Sequence, residues 1–84
     1  MTDIFKLYYR PGCRSCLHAE LELGYAGCAF ERVNIDLDPA LGAQFGLRIP
    51  VLAHGSGAQL DWPFDASALL DFLAALPADS AGAA

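Results

Sequence analysis

Residues 9–16 read Tyr-Arg-Pro-Gly-Cys-Arg-Ser-Cys and join a short apolar segment to a longer amphipathic one. Residues 4–9 are rich in β-forming side chains and are apolar on both pleat faces except at Lys6, which is typical of a central strand. The Pro-Gly pair that follows is a strong break in regular structure. The stretch therefore predicts a strand-to-helix turn with two cysteines, spaced as CxxC, at the start of the helix.

The segment after this turn has a helical period. Its apolar residues recur four apart and are Leu17, Leu21 and Tyr25. We expect them to form the buried face of an amphipathic helix that begins at or near Cys13 and ends at Gly24 or Gly27. His18 and Glu22 share another face and are expected at the surface.

The rest of the chain predicts five further elements and one turn. They are an alternating strand over 30–37, a short helix capped by Asp38 and closed by Gly46, a strand over 49–53, a turn over 54–57, a hairpin strand over 58–62, and a last helix capped by Asp65 and stopped by Pro77. The order β-α-β-α-β-β-α predicts an α/β domain with a four-stranded mixed sheet and helices on both faces. The domain is expected over 1–77, and 78–84 as a flexible C-terminal tail.

Length and charge exclude several classes of function. With 84 residues, of which 55% are hydrophobic, the chain has room for one core. Its net charge of -5 disfavours nucleic acid and acidic membrane surfaces as partners. No apolar run reaches the roughly 18 residues of a membrane span, and residues 1–3 do not resemble the start of a signal segment. We therefore expect a cytoplasmic protein. We also expect it to be a monomer.

The two cysteines of the turn are the candidate reactive groups. A cysteine at a helix N-terminus faces unpaired backbone N–H groups and the positive end of the helix dipole, and both favour thiolate over thiol. Cys13 is expected there. Cys16, nearly one turn on, is expected to be more buried and close enough to form a disulfide with it. This arrangement predicts thiol–disulfide exchange: Cys13 attacks a substrate disulfide and Cys16 then releases the product.

Three motifs together carry a family resemblance: residues 9–16, Arg-Ile-Pro-Val at 48–51, and Leu-Asp-Trp-Pro-Phe-Asp at 60–65. From about residue 4 to residue 76 the chain resembles the short bacterial glutaredoxin-like proteins of the thioredoxin fold. The resemblance implies that Cys13 is the nucleophile, Cys16 the resolving cysteine and Pro50 a cis-proline. It also implies that Arg10 meets a glutathione carboxylate. The expected substrate-binding residues are Tyr9, Arg10, Ile49, Pro50 and Asp65.

The expected activity needs no bound cofactor, only an external electron source. Arg-Ser stands between the cysteines where dithiol glutaredoxins usually carry Pro-Tyr, and residues 61–65 replace their usual Gly-Gly pair. The reductant therefore stays open between glutathione and thioredoxin reductase. The expected partner is a disulfide-containing protein or a glutathione mixed disulfide.

A non-catalytic thioredoxin-fold module, which binds a metal, an iron–sulfur cluster or a protein partner, is the alternative. The sequence contains enough residues for a four-ligand zinc site: Cys13, Cys16, Cys28 and either His18 or His54. Covalent haem is disfavoured because Leu17, not histidine, follows the second cysteine. We expect no metal, with Cys28 as a packed structural thiol and His54 exposed in its turn.

Overall fold

The computed structural model describes residues 5–76. Its strands are β1 (Phe5–Tyr9), β2 (Glu31–Asn34), β3 (Val51–His54) and β4 (Gln59–Asp61), and its helices are α1 (Arg14–Tyr25), α2 (Pro39–Phe45) and α3 (Ala66–Ala74). This order confirms the predicted β-α-β-α-β-β-α arrangement. Pro77 and the expected tail lie outside the described residues. No helix within residues 5–76 has both the length and the apolar character needed to cross a membrane.

The four strands form one mixed sheet in the order β2-β1-β3-β4. β1 runs parallel to β2, to which α1 connects it, and antiparallel to β3, while β3 and β4 form an antiparallel hairpin. This is the thioredoxin-like fold that the sequence predicts. β1 and β3 are the inner strands, which explains why both are almost wholly apolar.

Helices pack on both faces of the sheet, also as predicted. Under α1 and α3 lies a core cluster of Phe5, Leu7, Ala19, Leu23, Leu52, Phe64 and Leu69. On the opposite face a smaller cluster joins Ile35, Phe45 of α2 and Val51. Tyr8 stacks on Phe45 there, with ring centroids 4.2 Å apart. Alternation along β1 and β3 supplies both clusters, because successive side chains of a strand point to opposite faces.

The predicted buried face of α1 is wrong. Leu17 and Leu21 are each 57% exposed and Tyr25 is 83% exposed. The buried residues of the helix are instead Cys16, Ala19 and Leu23. These positions also follow a helical period, and two of them carry small side chains that let the helix backbone approach the sheet closely.

The second predicted strand is shorter than expected. β2 ends at Asn34, and Ile35–Leu37 form a 3-10 turn instead of continuing the strand. The Asn34 side-chain oxygen accepts a hydrogen bond from the Asp36 N–H at 2.9 Å. Asparagine side chains compete in this way with the backbone pairing of a strand, so the alternation up to Leu37 overestimates its length.

The expectation that His54 is exposed in a turn is also wrong. His54 ends β3, is 7% exposed, and its ring centroid lies 4.9 Å from that of Phe5. Its Nδ1 accepts a hydrogen bond from the Ser56 N–H at 3.1 Å. Because His54 pairs with Phe5 in the sheet, β3 ends one residue later than the predicted end at residue 53, and the imidazole is buried.

Candidate functional site

The turn between β1 and α1 positions Cys13. The Cys13 N–H donates to the Arg10 carbonyl at 3.2 Å, which closes the turn. Gly12 adopts φ +81, a left-handed conformation that glycine enters without steric cost. Cys13 itself is extended (φ -83, ψ 110) and is the N-cap of α1. The local sequence Arg-Pro-Gly-Cys therefore places Cys13 at the N-terminus of α1, as the sequence predicted.

The two cysteines of the motif lie together but differ in accessibility. Their sulfur atoms are within disulfide-bonding distance, and their Cα atoms are 5.2 Å apart. Cys16 is 1% exposed, whereas Cys13 is half-buried. A substrate therefore reaches the sulfur of Cys13 more easily than that of Cys16, and the predicted difference in burial is confirmed.

The start of α1 is suited to hold negative charge on Cys13. The Cys16 N–H donates to the Cys13 Sγ at 3.1 Å. The first helical turn contains no acidic residue that would oppose such a charge. The free N–H groups of a helix N-terminus, together with the helix dipole, stabilise an anion, so a reduced Cys13 is placed to be a thiolate.

Ile49 and Pro50 lead into β3, the antiparallel neighbour of β1. The peptide bond between them is cis, as the resemblance implies, and Pro50 is buried. The Pro50 carbonyl accepts a hydrogen bond from the Trp62 N–H at 3.1 Å, and the Ile49 N–H donates to the Phe45 carbonyl at 3.0 Å. The N–H of Ile49, one of the expected substrate-binding residues, thus already has a partner in the fold.

Arg10 is engaged with a residue that the sequence did not single out. Its Nε donates to Asp36 Oδ1 at 2.7 Å, and both side chains are nearly half exposed. The parallel register aligns Tyr9 with Asn34, which brings the end of β1 beside the 3-10 turn that carries Asp36. The guanidinium expected to meet a substrate carboxylate therefore faces a carboxylate of the protein itself.

Tyr9 and Asp65 also have defined contacts. The guanidinium of Arg32 lies over the Tyr9 ring, 4.9 Å from its centroid, and Arg32 also pairs with Glu20 at 3.3 Å. Asp65 caps α3, where its Oδ1 accepts a hydrogen bond from the Ala68 N–H at 2.8 Å. Asp65 also borders a shallow pocket with Pro63, Phe64 and Ala68.

A third ion pair holds the segment before Pro50 against β4, and no local sequence signal predicted it. Arg48 donates to both carboxylate oxygens of Asp61, from Nε at 3.0 Å and from Nη2 at 2.9 Å, and to the Gln59 side chain at 2.7 Å. The hydrogen bonds from Arg48 hold the pKa of the Asp61 carboxyl below its usual value. The same bonds raise the pKa of Arg48. The ion pair joins residues 13 apart, across the β3–β4 hairpin.

The four zinc ligands considered from the sequence are not assembled. Among residues 5–76, no three His, Cys, Asp or Glu side chains are grouped in a way that could hold a metal ion. Cys28 is half-buried and packs against the larger core cluster, with its Sγ 3.8 Å from the Ala29 carbonyl oxygen. This packing supports its structural interpretation.

A thioredoxin-like sheet with a paired CxxC at the start of its first helix defines a thioredoxin-fold redox module. The model of the family described as Glutaredoxin-like domain (DUF836) matches residues 5–74. The chain belongs to this family, and the match covers nearly all of the described residues.

Solved structures agree with this assignment. A structural-genomics target protein from X. campestris, solved by X-ray crystallography, is 46% identical, covers 87% of this chain and 99% of its own, and superposes with a TM-score of 0.84. The solution structure of the same target gives a TM-score of 0.79 at 46% identity, over 87% of this chain and 95% of its own. A Nitrosomonas europaea protein is 22% identical with a TM-score of 0.73 over 86% of this chain and 92% of its own, and shares the fold. No curated protein matches the chain.

Proposed function

We propose that this protein is a thiol–disulfide oxidoreductase in which Cys13 is the nucleophile and Cys16 the resolving cysteine. The observation that carries the proposal is the Cys13 sulfur at the N-cap of α1, which accepts the Cys16 N–H at 3.1 Å and lies within bonding distance of the Cys16 sulfur. One sulfur is accessible and set for negative charge, and the other is buried beside it. This division of roles is what a two-step exchange requires.

In the first step the Cys13 thiolate attacks one sulfur of a substrate disulfide. The new S–S bond joins Cys13 to the substrate, the substrate's own S–S bond breaks, and the departing thiolate takes a proton from solvent. In the second step Cys16 loses its proton and attacks the Cys13 sulfur, which releases the second substrate thiol. Two electrons have then passed from the protein to the substrate, and Cys13 and Cys16 share a disulfide.

The cycle is completed by an external reductant that returns two electrons to this disulfide, either glutathione or a thioredoxin reductase. The proposed substrates are disulfide-containing proteins or glutathione mixed disulfides, handled by a monomer in the cytoplasm without a bound cofactor. Arg10 borders the turn that holds Cys13, and Ile49 and Pro50 lead into β3 beside β1, which supports their proposed contact with substrate. Tyr9 and Asp65 are proposed as further substrate contacts.

The test is NADPH-coupled reduction of hydroxyethyl disulfide, run once with glutathione and glutathione reductase and once with thioredoxin reductase. Cys13→Ser is expected to remove turnover in the system that supports it. Cys16→Ser is expected to retain the first step and to accumulate a mixed disulfide on Cys13, which mass spectrometry detects. Cys28→Ser is the matched control and should retain turnover, since Cys28 packs into the core.

If the wild-type protein shows no turnover with either reductant, the proposed oxidoreductase activity would be rejected. The alternative, a non-catalytic thioredoxin-fold module, would then be favoured. Full activity of Cys13→Ser would reject the mechanism even if the protein turns over. The reductant that supports turnover identifies the electron source.

A further inference from the structure

The contact between Arg10 and Asp36 is built by the fold. Arg10 directly follows β1, and Asp36 lies in the 3-10 turn that directly follows β2. The parallel register fixes these two strand ends side by side, and the Asn34 side chain holds the Asp36 N–H at 2.9 Å. The carboxylate is therefore held at the position that the Arg10 guanidinium reaches, with Nε 2.7 Å from Oδ1.

The guanidinium also lies beside the chain that leads to Pro50. A Cβ added to Gly46 would lie 3.8 Å from Arg10 Nη2. Since the Arg10 carbonyl closes the turn onto the Cys13 N–H, the same residue borders both the turn that holds the sulfur and the segment before β3. A ligand that placed a carboxylate against this guanidinium would meet Asp36 there first.

We propose that Asp36 is a specificity-determining residue, which neutralises Arg10 and makes the site select neutral disulfides over those that carry a carboxylate near the sulfur. The inference rests on the proposed function, in which Cys13 is the attacking group. An incoming carboxylate competes with Asp36 for Arg10, whose Nε is already bonded to Asp36, and is repelled by the Asp36 carboxylate. For an exposed pair, replacing one partner changes an equilibrium by about 1.5- to 5-fold.

The first test measures the electrostatics at Cys13 without needing turnover. In the reduced Cys16→Ser/Cys28→Ser protein, which keeps only Cys13, alkylation rates are compared for iodoacetate, an anion, and iodoacetamide, its neutral analogue. Asp36→Asn keeps the size of the side chain and removes its charge. We expect it to raise the iodoacetate-to-iodoacetamide rate ratio by about 1.5- to 5-fold at low salt, and by much less at about 1 M salt, where the Debye length is about 3 Å.

Two further variants separate this local effect from a change in net charge. Glu31→Gln removes one negative charge from the exposed first residue of β2, at the opposite end of that strand, and should leave the ratio unchanged. Arg10→Gln combined with Asp36→Asn should abolish the rise, because the rise depends on a free guanidinium. A ratio that Asp36→Asn does not change, or that Glu31→Gln raises equally, would overturn the proposal.

The second test extends the comparison to disulfides. Exchange of the same single-cysteine protein with oxidised glutathione, which is anionic, is compared with exchange with neutral hydroxyethyl disulfide, and Asp36→Asn should raise the relative rate for glutathione. Absence of turnover in the coupled assay would reject the proposed function without changing either rate ratio, so the two failures are distinguishable.

Discussion

The side chain at position 13 should affect the stability of the helix as well as activity, and Cys13→Ser and Cys13→Ala separate these effects. Both substitutions remove the reactive sulfur. Serine, however, retains an atom that can accept the Cys16 N–H, which in the native protein donates to Cys13 Sγ at 3.1 Å. Alanine leaves this N–H of the first helical turn without a side-chain acceptor.

The size of the difference follows from the position. Exchanging serine for alanine at an N-cap costs about 0.5–2 kcal/mol, typically about 1 kcal/mol. For a domain of this size, about 1 kcal/mol corresponds to a change of about 4–8 °C in Tm. We therefore expect Cys13→Ser to melt several degrees above Cys13→Ala, measured by circular dichroism in excess reductant so that Cys16 and Cys28 stay as thiols.

Position 28 provides the control, since Cys28 lies outside any helix. Cys28→Ser should not be more stable than Cys28→Ala, because no helix terminus needs a serine oxygen there. Equal Tm values for the two Cys13 variants would show that the Cys16 N–H does not stabilise an acceptor at position 13. The reasoning that assigns the thiolate to Cys13 would then be refuted together with the capping argument.

Two other predictions test the packing of α1 and the ion pair before Pro50. Leu23→Ala should lower the free energy of unfolding by about 2–5 kcal/mol because Leu23 is fully buried, whereas Leu21→Ala on the exposed face should change it by about 0.5 kcal/mol or less; equal urea midpoints would contradict the assigned face. Asp61→Asn should lower the urea midpoint slightly at pH 7. Hydrogen bonds from Arg48 make the pKa of Asp61 lower in the folded protein than in the unfolded chain. The ion pair therefore stabilises the fold fully above the pKa of Asp61 in the unfolded chain, and this stabilisation is lost as the pH falls through the pKa in the folded protein. The urea midpoints of the variant and the wild type should therefore become equal in acid.

The features that the sequence predicted correctly depend on neighbouring residues. Strand β1, the turn and the N-cap position of Cys13 are encoded by consecutive residues whose conformational preferences agree, and Asp38 and Asp65 begin their helices through hydrogen bonds to residues two and three positions on. The periodicity of apolar residues predicted less about which side chains are buried. On α1 it identified the helix but selected the large apolar side chains, whereas close packing against the sheet favours the smaller Cys16 and Ala19.

The chemical surroundings of the sulfur depend on contacts that no local pattern contains. Arg10 and Asp36 are 26 residues apart and meet only because two parallel strands end side by side. The Ile49 amide is occupied by the Phe45 carbonyl because α2 ends immediately before the loop to β3. A resemblance carries over the type of residue at such a position but not its partner. A basic residue matched to a carboxylate-binding role indicates anion binding most directly when no carboxylate of its own fold pairs with it. At Arg10 the contact with Asp36 is the reason why we propose that the site selects neutral disulfides.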